Sequence, residues 1–140
     1  MFRTIHVFIL VFVAVAGLMS LSASAQTPNE VLAAIKNEAK NSNPAFQGFS
    51  ADRGANFFKQ KHANELSCAS CHTDNPAALG KHAKTGKIIK AMAPAANAER
   101  FTDTAKVEKW FKRNCNDVLD RACTPQEKGD VITYLLTVKS

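Results

Sequence analysis

From Gln26 to Ser140 the apolar positions recur every three or four residues, the helical period, and polar stretches rich in Asn, Pro and Gly separate them. Val31, Leu32, Ile35 and Ala39 share one face. Ahead of them Thr27-Pro28-Asn29-Glu30 has the form of a capping box with proline at the first helical position. A first helix to about Lys40 is predicted, stopped by Asn41-Ser42-Asn43-Pro44. Ser50 caps a second, which carries Gly54, Phe57 and Phe58 toward Lys61. Glycine inside a helix costs up to about 1 kcal/mol relative to alanine, so Gly54 predicts the close approach of another helix.

Thr102 or Asp103 caps a third helix. At about 100° per residue, Val107, Trp110, Phe111 and Asn114 fall within an arc of about 100°, so one polar residue ends an apolar stripe. Lys109, Lys112 and Asn116 point elsewhere. Thr124-Pro125-Gln126-Glu127 repeats the capping box and opens a last helix with Val131, Tyr134, Leu135 and Val138 on its inner face. The stretch Thr73 to Ala98, with Pro76, Gly80, Gly86 and Pro94, has no sustained period and reads as a long loop. A loop of this length is usually functional or held by a ligand. No strand pattern competes, and the fold class is all-α.

The apolar run nearest the start has a different character. Residues 1–25 read as a secretory signal: Arg3, an apolar run to Leu21, then Ala23-Ser24-Ala25 as the cleavage site. An uncleaved membrane anchor is the alternative, because the run is nearly long enough to span. Cleavage would leave residues 26–140, about 115 residues and one small domain, too polar for membrane insertion. Only Arg3 is lost among the charges, so a net charge of +6 becomes about +5. Basic and aromatic residues do not interleave into a stacking face, which points to an acidic protein partner and away from nucleic acid.

Cys68-Ala69-Ser70-Cys71-His72 carries the chemistry. Two thiols two residues apart, followed at once by histidine, form the attachment pattern of a c-type haem, with the thiols adding to the haem vinyl groups and His72 reaching the iron. A redox dithiol or half a zinc site uses the same thiol spacing. An exported chain also lets Cys115 and Cys123 oxidise to a disulfide, the alternative being two free thiols. A loop this short would stabilise the domain by about 2–3 kcal/mol. The opposite side of the iron has several candidates in Met92, His62, His82 and Asn114, or it is open. Lys81, Lys84, Lys87 and Lys90 recur every three residues, either as a solvated loop or as a docking patch.

Several runs carry a resemblance: Thr85-Gly86-Lys87, Ala91-Met92-Ala93-Pro94, Arg100-Phe101-Thr102-Asp103, Val107-Glu108-Lys109-Trp110, Arg113-Asn114-Cys115-Asn116 and Cys123-Thr124-Pro125-Gln126-Glu127-Lys128. Over about Ser50 to Leu136 the chain resembles the sphaeroides haem protein (SHP) type of class I cytochrome c, and is similar to the related cytochrome c double-prime. The resemblance implies a class I fold of about four to five helices around one covalent haem c. The core would span about 50–136, with an extra N-terminal helix at about 28–40.

The resemblance also implies that Asn114 ligates the ferric iron and leaves on reduction, opening a site for O2, NO or CO. Met92, Trp110 and Phe111 then pack against the haem, and Cys115 and Cys123 form the shared disulfide. By the same resemblance the electron donor is a dihaem cytochrome c or a membrane cytochrome b, met in the periplasm. A haem reductase of O2 or nitrogen oxides and an ordinary Met-ligated electron carrier are the competing functions.

Overall fold

A computed structural model describes residues 25–140; the signal reading, apart from Ala25, lies outside them. Five helices and one small hairpin follow in order: α1 (Pro28–Ser42), α2 (Ala51–Lys59), α3 (Ala69–His72), β1 (Gly80–Lys81), β2 (Ile88–Ile89), α4 (Thr104–Leu119) and α5 (Pro125–Thr137). Both capping boxes form, Thr27 with Glu30 and Thr124 with Glu127. Ser50 and Asp103 cap α2 and α4, each side chain accepting the backbone N–H three residues on. The second helix therefore ends two residues before the predicted Lys61, and Val138 is the C-cap of the last helix.

The helices enclose one apolar cluster of Val31, Ile35, Phe58, Phe101, Val107, Val131, Ile132 and Leu135. α5 packs against both α1 and α2, and its buried side is wider than the sequence period indicates. Lys128 and Asp130 are buried on it as well. Lys128 Nζ donates to Glu38 on α1 at 3.1 Å and to Glu108 on α4 at 2.8 Å, tying three helices together. The Asp130 carboxylate accepts from Ser50 N–H, the Arg53 guanidinium and the Gln126 amide. Burying these charges is tolerable because each is paired and hydrogen-bonded.

Gly54 is the point of closest approach between α2 and α5. A Cβ there would overlap the Asp130 backbone carbonyl and press on Tyr134 Cβ. Gly54→Ala is expected to destabilise the haem-loaded protein by about 2 kcal/mol, an overpacking cost of about 3 reduced by the better helix propensity of alanine. An unchanged midpoint in urea would show that the helices can part without loss.

The long loop is not structureless. Gly80 pairs with Ile89 and Lys81 with Ile88 in an antiparallel hairpin, a small departure from the loop reading within an otherwise all-α fold. The β-branched Ile88 and Ile89 suit the strand. Gly86, at φ +68°, closes the turn by donating to His82 O at 2.9 Å. These strands are too short to show alternation in a sequence.

Glu127 is held below the usual carboxylate range. Burial pushes it up, but the Arg121 guanidinium at 2.6 Å and the Thr124 N–H outweigh that. A lowered folded-state value means stability present above the ordinary carboxylate range and lost as pH falls through it. Glu127→Gln should therefore be less stable than the unmodified protein near neutrality, with the difference closing as pH falls, so that the acid limb of its stability-versus-pH curve is flatter. An identical acid limb in the variant would contradict the pairing.

Candidate functional site

The haem-type motif folds as a single short helix. Cys68 N-caps α3, and Ala69 to His72 complete it, with Ser67 and Ser70 exchanging hydrogen bonds at its start. Thr73, at φ +60°, turns the chain away immediately after His72. Cys68 and Cys71 are free thiols, and among the described residues no three His, Cys, Asp or Glu side chains converge on a common metal position. A zinc site needs such convergence. Covalent haem needs the two thiols and the imidazole at separate points, which one helical turn provides.

The protonation states agree with that use. Burial pushes the Cys68 thiol up to about 11, the opposite of the lowered value that makes a redox dithiol reactive. Burial, reinforced by the positive charge of Arg100, pushes His72 down to about 4, so at neutral pH its imidazole is neutral and has a lone pair to give a metal. The His72 ring lies 6.5 Å from that of buried Phe58, which places it at the edge of the main core.

The loop after α3 folds back onto the motif. Ala83 N–H approaches Cys71 Sγ at 3.4 Å, and a Cβ at Gly80 would overlap the Cys71 carbonyl. Pro76 O accepts both Met92 N–H at 2.8 Å and Ala93 N–H at 2.9 Å. Arg100 donates to the carbonyls of Lys90 and Ala91 at 2.6 and 2.8 Å. In the sequence Phe58 falls on the second helix, Pro76 and Gly80 in the loop and Arg100 in a run that carries the resemblance, but none of them is assigned to the site there.

α4 joins the core through Val107 and Phe111 and is tied to α5 by Glu108 and Lys128. Its buried residues Val107, Cys115 and Leu119, with half-buried Phe111, follow each other at four-residue spacing. This stripe rotates away from the predicted arc, leaving Trp110 44% exposed with Arg113 over its ring at 5.7 Å. Asn114 is half-buried beside Cys115, which is bonded to Cys123 with a Cα separation of 5.6 Å. Asn43, Asn64, Asn75 and Asn97 spend their amides on backbone, whereas Asn29, Asn37, Asn41, Asn56, Asn114 and Asn116 make no such bond among the described residues, and of these only Asn114 is half-buried.

The histidine candidates are engaged locally. His62 Nε2 lies 2.9 Å from Phe57 O and its ring stacks on Phe57, while His82 Nδ1 accepts Thr85 N–H inside the hairpin turn. Met92 packs with Cys68 and Phe111 against the main core. Large apolar side chains remain exposed around this region, Leu79 at 66% and Ile88 at 68%. An apolar cofactor held between α3, the loop and α4 suits the two separated thiols, the neutral imidazole and these apolar flanks.

Comparison with known proteins identifies the cofactor. Residues 44–135 match the family model described as a domain of unknown function, DUF1924. Cytochrome c'' of Methylophilus methylotrophus is 47% identical over 105 residues, covering 72% of this chain and 73% of that protein. The cytochrome c-type protein SHP of Cereibacter sphaeroides is 49% identical over 69 residues, covering 49% of this chain and 53% of that protein. The crystal structure of oxidised cytochrome c'' superposes with a TM-score of 0.72 at 43% identity, covering 81% of this chain and 95% of that one. Oxidised SHP, described as an oxygen-binding cytochrome c, superposes with a TM-score of 0.70 at 36% identity, covering 79% and 96%. The cofactor is a covalently bound haem c.

Proposed function

The chain belongs to the family of cytochrome c'' and SHP, monohaem c-type cytochromes, and from that premise we propose that it is an exported electron-transfer protein whose reduction opens a gas-binding position. The observation that carries this reading is the half-buried Asn114 amide, uncommitted to other protein groups and fixed beside the Cys115–Cys123 bond. Cys68 and Cys71 hold the haem and His72 supplies its proximal ligand. Bound there, the haem supplies a one-electron Fe(III)/Fe(II) couple and a position for small ligands.

Asn114 would hold the oxidised iron through its amide oxygen. A neutral amide is a weak, hard donor, so the softer ferrous state gives it little reason to stay. Once released, the amide is available to donate a hydrogen bond toward a diatomic ligand. Phe111 and Met92 line the apolar side and restrict water, and Trp110 covers the rim of α4. The disulfide keeps the backbone beside Asn114 in place, so that release is a side-chain movement and the ligand returns on oxidation.

Electron entry is assigned to the hairpin. Its register puts Leu79, Lys81, Ile88 and Lys90 on one side of β1 and β2, with Gly80 turned toward Cys71. Lys84 and Lys87 add positive charge at the turn. An exposed apolar pair ringed by lysines suits an acidic redox protein, a dihaem cytochrome c or the exposed domain of a membrane cytochrome b. The setting is the periplasm; among the described residues no helix is long and apolar enough to cross a membrane.

Spectra of the unmodified protein test this reading. The ferric form should lack the near-infrared band of iron–methionine sulfur ligation, and dithionite should give a high-spin ferrous form. A methionine band in the ferric form would instead put Met92 on the iron and make the protein an ordinary electron carrier.

A further inference from the structure

Gln26 is joined to the start of α4 in an asymmetric way. Its backbone N–H donates to Thr102 O at 2.9 Å, while Oε1 accepts Thr104 N–H at 2.8 Å and the Thr104 hydroxyl at 2.7 Å. A backbone N–H can only donate, so the side-chain atom facing Thr104 is the oxygen and the amide nitrogen points away. That nitrogen has no partner among the described residues. Thr102 O and Thr104 N–H flank Asp103, whose φ of −154° and ψ of 110° are extended, so both groups project from the same edge of the chain.

We propose that Gln26 becomes the N-terminal residue and closes to pyroglutamate, whose lactam edge docks on Thr102 and Thr104. The proposal rests on the reading of this chain as an exported protein cut after Ala25. The freed α-amine attacks the side-chain Cδ. The bond from nitrogen to Cδ forms, the bond from Cδ to Nε2 breaks, and Nε2 leaves as ammonia with a proton from the amine. No oxidant or other reactant is needed. The lactam keeps one N–H and Oε1 on a common edge, the two atoms already bonded to α4, and discards the one atom without a partner.

Closure also removes a charge. An open Gln26 would place an α-ammonium beside the first turn of α4, where the helix dipole makes positive charge unfavourable. The lactam is neutral and still satisfies the Thr104 N–H, one of the free donors of that turn. α4 carries Asn114 and Cys115, so the cyclised terminus fastens the start of the helix that presents the distal ligand. A terminal amine would have to move away or lose its proton to do the same.

The test is intact-mass analysis of the full-length chain after export and haem loading, with amide hydrogen exchange at Thr104. The expected mass is one ammonia below that of the haem-bearing Gln26–Ser140 chain. Pyroglutamyl aminopeptidase should then remove a single residue and speed Thr104 exchange by about tenfold, since one protecting hydrogen bond of about 1.4 kcal/mol is lost. Gln26→Ala should keep a free amine and show the faster exchange from the start. A terminus at another residue would overturn the cleavage premise. A stable free amine on Gln26 would overturn the cyclisation while leaving the export reading intact.

Discussion

Replacing Cys68 and Cys71 together by alanine should release the haem from the chain: acidified organic solvent will extract it from the variant and leave it on the unmodified protein. Both thiols sit on the single turn of α3, near His72 and held by the hairpin at Gly80 and Ala83. Burial keeps Cys68 protonated at neutral pH, so the free chain holds it as a thiol rather than a thiolate. Each thiol should carry one thioether, and either single variant should retain haem through the other. The comparison is sharpened by Cys115 and Cys123, already bonded to each other. Replacing that pair should leave the covalent haem intact and cost about 2–3 kcal/mol of stability. Haem that stays attached when both Cys68 and Cys71 are gone would contradict the assignment, and a wild-type protein isolated as a haem-free dithiol would contradict it more simply.

Asn114→Ala should open the sixth position of the ferric iron to water and added anions before any reductant is added, and change the ferric spectrum accordingly. The side chain is half-buried on α4 and its neighbour Cys115 is fixed, so truncation removes the amide without moving the backbone. Exogenous anions such as azide or cyanide should then bind the ferric protein about 10- to 100-fold more tightly, the scale on which metal-site affinity responds to changes around the ligands. The ferrous protein should change little, because the amide has already left. This asymmetry between oxidation states separates ligation from general damage to the fold, which would disturb both. Equal ferric spectra for variant and wild type would remove Asn114 from the iron and leave its unpartnered amide unexplained.

The helical frame was legible because its punctuation is local. Two capping boxes and a proline after each cap act within four residues and appear as read, while the Asn-Ser-Asn-Pro stop takes effect two residues late, with Asn41 and Ser42 still helical and Asn43 as the C-cap. Gly54 announced a helix crossing that the sequence could not locate; the partner proved to be Asp130 on α5. The buried ions were hidden for the opposite reason. Lys128 looks like any surface lysine until α1 and α4 bring Glu38 and Glu108 to it from 90 and 20 residues away. The hairpin was hidden because its paired strands are two residues long.

The site divides along the same line. Cys68, Cys71 and His72 are contiguous, and their spacing alone specifies the chemistry. The distal candidates are separated by dozens of residues, and periodicity could only place Asn114 at the end of an apolar stripe. Structure adds that His62 and His82 are engaged in their own segments and that the buried stripe of α4 runs through Phe111 and Cys115 rather than Trp110. Arg100 shows what no pattern could supply. It touches two carbonyls of the loop, those of Ala91 and Lys90 nine and ten residues back along the chain, and lends its charge to the surroundings of His72.

The central claim is that reduction frees a coordination position which the oxidised protein keeps closed. Its most direct test is the absorption spectrum of the haem-loaded protein with azide before dithionite and with CO after it. The expected result is weak, slow azide binding in the ferric state, a high-spin ferrous form on reduction and immediate formation of the CO adduct. A ferrous protein that remains low-spin and does not take up CO would mean that the iron is capped in both states and that gas binding is not what this cytochrome does.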